Sequence, residues 1–358
     1  ERSDVVCQVV DARNPLLYRS MELERYVSQD QHPSDVGSLP VKKNVLLLNK
    51  ADLIPVSARK AWCNHFLREG ITFAFFSAAE RKGGEAQCGE SASGNQEDEA
   101  RGVGMPDKDG EDFTWRDDDD VGAELCSPDV FSPSAMRQAL HSLIRLSTED
   151  AKDERITIGF VGFPNVGKSS VLNALIGVES LHRVAHGPSP GKTKHFQTML
   201  VEDGLCLCDC PGLVLPSVVA KKEEMICGGV LNIHTLRDTI PPVSVICEKV
   251  PRELLEQMYG ISIPVTRIAR ESYYARSDPA GDLIRMARMA RLGGPSTRHS
   301  QFMVVFSAVD FLDALCKHRK IFKANSGLPD HHRAGKMVLG DWLTGSLPHW
   351  ELPPEREI

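Results

Sequence analysis

Short apolar runs alternate with amphipathic stretches along most of the chain, at the spacing of strands that alternate with helices. Asp4–Asp11 (DVVCQVVD), Val45–Leu48 and Ile71–Phe76 are rich in Val, Leu, Ile and Phe and bounded by polar turns, which predicts buried strands. Met21–Val27 predicts a short helix between the first two. Ser57–Glu69 predicts another, with Ala61, Trp62, His65 and Phe66 at helical spacing. Further on, Ser132–Leu146 predicts a helix, Ile156–Val161 a strand, and Ser169–Ile176 a second helix. Met199–Val201 and Leu205–Asp209 form a hairpin-like pair. Beyond Pro216 the pattern turns mainly helical, over Arg252–Met258, Asp282–Leu292, Val309–Phe322 and Gly335–Leu343. Such alternation implies an α/β fold, a parallel-rich sheet with helices on both faces, followed by a mainly helical domain.

One segment breaks the pattern. Over residues 80–130, Gly, Ser, Glu and Asp dominate, with four aspartates in a row at Asp117–Asp120. Too little apolar area is available there to offset the entropy of ordering, so a disordered linker is expected. An acidic tract that binds a basic partner is the sharper alternative. The net charge of −7 hides this asymmetry. Residues 80–154 hold 20 acidic and 8 basic side chains, net −12, which leaves the rest of the chain at +5. The expected organisation is a first half-domain over 1–79, the linker over 80–130, a second half-domain over 131–216 and a basic helical domain over 217–358.

Composition excludes some classes. No run approaches the roughly 18 apolar residues of a membrane span, and the ten cysteines lack disulfide-framework spacing, as in a reducing compartment. Cys206, Cys208 and Cys210 recur at every second residue. A metal site is conceivable, but the same period places small buried residues on one face of a strand. The chain opens Glu1-Arg2-Ser3-Asp4, without Met and close to a strand, so a preceding segment is expected.

Three motifs carry chemistry. Gly162–Ser169 (GFPNVGKS) follows a predicted strand and precedes a predicted helix. That setting suits a phosphate loop, in which Val166, Gly167 and Ser170 lend backbone N–H groups at a helix N-terminus. Lys168 would reach the outer phosphates and Ser169 would ligate Mg²⁺. Asp209-Cys210-Pro211-Gly212 comes about forty residues after Lys168. There Asp209 would hold Mg²⁺ through water and the Gly212 N–H would sense a γ-phosphate. Asn49-Lys50-Ala51-Asp52 closes a strand, and a carboxylate at Asp52 accepts from two N–H groups of a guanine edge that adenine does not offer. The Lys50 stem would lie over the base and Asn49 would tie loops together, with Ser77 and Ala78 as the second guanine loop. Thr193, in Pro190–His195 (PGKTKH), is the candidate switch threonine that ligates Mg²⁺. Leu213 stands where many such enzymes carry the glutamine that orients water.

The order is unusual, because the N-K-x-D loop precedes the phosphate loop by more than a hundred residues. With Asp11–Pro15 (DARNP), PGKTKHFQT, Gly204–Ser217 (GLCLCDCPGLVLPS), Pro241–Ile261 and Arg333–Leu347 (RAGKMVLGDWLTGSL), the chain resembles the circularly permuted GTPases of ribosome assembly, and among them the large-subunit GTPase 1 family. The resemblance spans most of the chain except 80–130 and the basic stretch 262–308. It implies a cytoplasmic GTP hydrolase of late 60S maturation that assists release of the nuclear export adapter from the pre-60S subunit. It also implies a monomer whose partners are rRNA and ribosomal proteins. Asn165 resembles the asparagine that helps hold K⁺ in some such enzymes, where the cation stands in for an arginine finger. Residues 265–345 hold 13 basic and 7 acidic side chains. Arg285, Arg288 and Arg291 form a stripe that suits rRNA phosphate or a solvated helix face.

Overall fold

The computed structural model describes residues 3–29, 43–79, 125–145, 156–177, 197–201, 205–210, 221–269, 302–324 and 326–354. Seven strands form one sheet: β1 (Val5–Asp11), β2 (Lys43–Asn49), β3 (Phe73–Phe76), β4 (Val130–Phe131), β5 (Ile156–Val161), β6 (Gln197–Leu200) and β7 (Leu205–Asp209). Their spatial order is β4-β3-β2-β1-β5-β7-β6. Every pairing is parallel except β6 with β7, which is antiparallel. The centre is β1, flanked by β2 and β5. Buried on both sides, β1 and β2 read as continuous apolar runs rather than alternating ones, and Val9, Val10, Leu47 and Leu48 have no exposed surface.

Helices α1 (Pro15–Tyr18), α2 (Met21–Gln29), α3 (Val56–Arg68), α4 (Pro133–Arg145) and α5 (Lys168–Ile176) accompany the sheet. Trp62 and Phe66 of α3 stack with centroids 5.4 Å apart, and Phe66 lies against Phe73 of β3. The expected strands and helices of this half all form, within two residues at their ends.

A second apolar cluster lies among α6 (Lys222–Cys227), α7 (Ile240–Lys249), α8 (Arg252–Tyr259), α9 (Ala308–Arg319) and α10 (His331–Thr344). Phe311, Leu312 and Leu315 of α9 pack with Val338, Leu339 and Trp342 of α10 and with Val243 and Ile246 of α7. A capping box starts α9: Ser307 accepts from the Asp310 N–H, and the Asp310 carboxylate accepts from the Ser307 N–H, each satisfying a donor that the helix leaves unpaired.

The structure adds to these expectations and corrects some of them. Helix α7 is not among the helices expected above; Pro241 and Pro242 sit in its first turn, where a missing N–H costs nothing. The acidic linker expected over 80–130 ends sooner. Leu125 is fully buried and Val130 joins β4, paired with Phe75, while 80–124 lie outside the described residues. The C-terminal region is not purely helical, since β8 (Thr266–Ala269) and β9 (Phe302–Val305) pair antiparallel at the two ends of the basic stretch. Of the three alternating cysteines, Cys208 is buried while Cys206 and Cys210 are half-buried, because Leu205 and Leu207 take the core-facing positions of β7. The helix expected over Asp282–Leu292, with Arg285, Arg288 and Arg291, lies outside the described residues.

Phe160 at the centre of β5 is fully buried, whereas Val56 at the start of α3 is half-exposed. Phe160→Ala should cost about 3–5 kcal/mol and Val56→Ala no more than about 0.5 kcal/mol, measured by urea unfolding. Equal midpoints for the two variants would contradict this account of the core.

Candidate nucleotide-binding site

The parallel strands all point their carboxyl ends to one edge of the sheet, where open α/β folds bind ligands. Asp11 is the last residue of β1, Asn49 of β2 and Asp209 of β7. Ser77 follows β3, and the loop Gly162–Gly167 joins β5 to α5. Register aligns them: Asp11 sits opposite Asn49, and Asp209 opposite Phe160.

Asn49 joins three loops. Its amide nitrogen donates to the Val166 carbonyl at 2.8 Å, and its side-chain oxygen accepts from the Ala78 N–H at 3.2 Å. Gly167 must be glycine for this. It has φ +96°, and a Cβ there would collide with the Asn49 amide nitrogen. Next in the chain, Lys50 takes a left-handed backbone (φ +62°) and reaches both the Asp11 carboxylate (2.8 Å) and the Asn165 carbonyl (3.0 Å). Asp52 accepts a 2.6 Å bond from the Ser77 hydroxyl. The N-K-x-D loop, the Ser77-Ala78 loop and the phosphate loop therefore form one wall.

On the phosphate side, Lys168 opens α5, followed in the same turn by Ser169 and Ser170. Its ammonium donates to the Gly162 and Phe163 carbonyls, both at 2.8 Å. Burial pushes its pKa down to about 8, with Asp209 opposing part of that shift. Ser169 Oγ donates to Asp209 Oδ2 across 3.4 Å. A hydroxyl and a carboxylate so close fit a magnesium ion, a hard cation that takes the rest of its shell from phosphates and water. No cluster of three or more His, Cys, Asp or Glu side chains suited to a metal occurs among the described residues. Thr193, Gly212 and Leu213 lie outside the described residues.

Asp11 is the electrostatic centre. Burial by itself would raise its pKa, but the charges and hydrogen bonds of Lys50 and Arg13 outweigh that and hold the carboxyl well below the usual range. Arg13 grips it with two bonds, Nε at 2.9 Å and Nη2 at 2.7 Å. Asn165, also left-handed (φ +62°), donates its amide to the Gly229 carbonyl at 2.6 Å. Beside it, the Tyr18 hydroxyl donates to the Gly228 carbonyl at 3.0 Å.

A family model described as 50S ribosome-binding GTPase matches residues 157–259. GTPase LSG1-1 of Arabidopsis thaliana is 34% identical over 369 residues, covering 99% of this chain and 57% of the relative. The Large subunit GTPase 1 homolog of Danio rerio is 35% identical over 404 residues, covering 99% of this chain and 56% of the relative. The chain belongs to the large-subunit GTPase 1 family. It spans somewhat over half the length of these relatives. Among solved structures, GNP-bound YlqF from T. maritima aligns at 15% identity with a TM-score of 0.47, covering 99% of this chain and 94% of that one.

As in a circularly permuted GTPase, the N-K-x-D loop comes first in the chain and Asp209 after the phosphate loop, yet Asn49 bonds Val166 and Asp209 accepts from Ser169. The sequence assigns Asn49, Lys50, Asp52, Ser77, Ala78, Val166, Gly167, Lys168, Ser169 and Asp209 to nucleotide or Mg²⁺ binding, and in the structure these residues end or follow β2, β3, β5 and β7. It gives Asp11 and Arg13 no role, although an acidic residue ending a buried strand needs a cation, and the arginine two residues on supplies it. Tyr18 carries no such signal, since its partner lies 210 residues away.

Bringing polyphosphate beside Lys168 favours the ammonium form and raises its pKa. Below pH 8 the lysine is already charged and binding takes up no proton there. Above pH 8, binding should take up as much as one proton, and affinity should fall by up to about tenfold per pH unit. Calorimetry of GDP binding in buffers of different ionisation enthalpy, at pH 7 and 8.5, reads this directly. Lys168→Arg, always charged, should show no uptake at either pH. Proton uptake at pH 8.5 equal in both proteins would contradict it.

Proposed function

We propose that this protein is a GTP hydrolase that acts as a switch in late, cytoplasmic maturation of the 60S ribosomal subunit, where it assists release of the nuclear export adapter. What supports guanine-nucleotide binding best is the bridge from Asn49 to Val166 and from Lys50 to Asn165, which sets a base-reading loop and a phosphate cradle against each other. Large-subunit action draws on the names of the relatives and of the family model. Its partners would be rRNA and ribosomal proteins of the pre-60S particle, met by a monomer. No helix among the described residues is long and apolar enough to cross a membrane.

In this reading Asp52 accepts the guanine N–H groups, and the Lys50 stem covers the base. Backbone N–H groups from Val166 to Ser170 hold phosphate oxygens, and Lys168 leaves the Gly162 and Phe163 carbonyls for the outer phosphates. Ser169, Asp209 and Thr193 would hold Mg²⁺, which supplies neutralisation of charge on the phosphates. Asn165 would present its Oδ1 to K⁺, since its amide nitrogen is held by Gly229. Gly212 would sense the γ-phosphate, and only nine residues separate it from the start of α6 at Lys222, so ordering of that turn would move the second domain directly. A second reading, a scaffold that binds GTP and scarcely turns it over, is favoured by Leu213 at the water-orienting position.

Two measurements test this. On sucrose gradients the protein should migrate with 60S particles in a manner that depends on GTP, GDP or a non-hydrolysable analogue; absence of co-migration in every state would exclude the ribosomal role. Turnover should rise several-fold with 60S particles and be higher in K⁺ than in Na⁺. Equal rates in both salts would remove the K⁺ site, and no turnover with particles would leave the scaffold.

A further inference from the structure

The contacts of Arg13 extend beyond the nucleotide loops. The residue is 5% exposed, and its guanidinium is divided between two partners. One side grips Asp11, which also holds Lys50. The other donates from Nη1 to the Trp342 carbonyl at 2.8 Å, with Nη2 3.3 Å from the Leu343 carbonyl. Those carbonyls lie in the last turn of α10, at the negative end of the helix dipole, where the Trp342 carbonyl also accepts the capping Gly345 N–H at 3.3 Å. A second contact meets the same helix end from the base-reading side. Gly345, the C-cap of α10 at φ +84°, lies so close to Leu53 that a Cβ would come within 2.5 Å of its Cδ1. Leu53 closes the 3-10 turn Ala51–Leu53 that contains Asp52. The returning chain adds a third tie, from the Glu351 N–H to the Arg13 carbonyl at 2.7 Å.

We propose that Arg13 is a positioning residue that couples base recognition to the docking of α10. Through Asp11 it sets the ammonium of Lys50; through the Trp342 and Leu343 carbonyls it sets the end of the second domain. Any shift of Lys50 toward a base changes the share of the Asp11 charge left to Arg13, and so its hold on the helix. Coupling of this kind is reciprocal: the factor by which nucleotide tightens the helix is the factor by which the helix tightens nucleotide. The link between Gly212 and α6 answers to the γ-phosphate. The Arg13 link answers to the guanine, so GDP and GTP engage it alike. It rests on the reading of the Asn49–Asp52 loop as the guanine pocket.

Hydrogen exchange on the full chain tests it. Saturating GDP or GTP should slow exchange at residues 340–347 by about 5- to 20-fold, with no comparable change in α9, and ATP should do nothing. Arg13→Lys, which keeps a cation near Asp11 but lacks the fork to grip both carboxylate and helix, should lose most of that increment and weaken GDP binding by a similar factor. A merely structural arginine would lower protection at 340–347 equally with and without GDP and leave the increment intact, which overturns the proposal. So would protection rising uniformly through α9 and α10. The wild-type measurement stands even if the variant does not fold. If GDP binds and 340–347 do not respond, the coupling alone fails; if GDP does not bind, the guanine-pocket reading fails and takes the coupling with it.

Discussion

A carboxylate buried at the end of the central strand must be neutralised, and the way Asp11 is neutralised organises the rest of the molecule. Removing one partner from a buried ion pair costs about 3–5 kcal/mol, because the other charge is stranded in a poorly polarisable interior. Asp11 has two such partners, and each is committed elsewhere too. Lys50 extends on to the phosphate loop at Asn165 and Arg13 to the end of α10. One buried charge thus fixes the strand end, the N-K-x-D loop, the phosphate loop and the second domain relative to one another.

Much of the sheet was legible because its strands are short runs of large apolar residues, and burial on both faces leaves no other reading of a stretch such as Val45–Leu48. The loops were legible for a different reason: phosphate and guanine impose specific residue types at fixed spacing. What was not legible depends on partners far away in sequence. Nothing near Arg13 announces that its guanidinium meets carbonyls 329 and 330 residues later, nor that Tyr18 bonds Gly228. Helix α7 was not among the expected helices, and its two prolines would break a helix anywhere except in its first turn. Residues 125–131 (LCSPDVF) form an apolar run too short and too interrupted by Ser127-Pro128-Asp129 to read as a strand, and it is pairing with the β3 edge through Val130 and Phe131 that makes them part of the sheet.

Hydrogen bonds tie the two apolar clusters together at several points. Gly228 and Gly229 present carbonyls to Tyr18 and Asn165, and the Trp62 indole N–H donates to the Glu351 carbonyl at 2.9 Å. Lys249 and Glu351 add an ion pair at 2.8 Å where the returning chain passes α7. Polar ties of this kind have strict geometry, so a small displacement breaks them while an oily contact would slide. That property suits a joint that must occupy distinct positions.

The central place of β1 also shapes how such a chain is made. Its neighbour β2 follows 38 residues later, pairing Val5 with Lys43, but β5, which covers the other edge, pairs Val5 with Ile158. At typical synthesis rates of about 5–20 residues per second, that edge waits on the order of ten seconds or more for its partner. An uncovered apolar strand edge is a template for pairing with another chain. The residues made during that wait include most of the chain's acidic excess, whose charge keeps neighbouring nascent chains apart. The rearranged order therefore exposes the middle of the sheet first, and places a strongly repelling stretch beside it until the sheet can close.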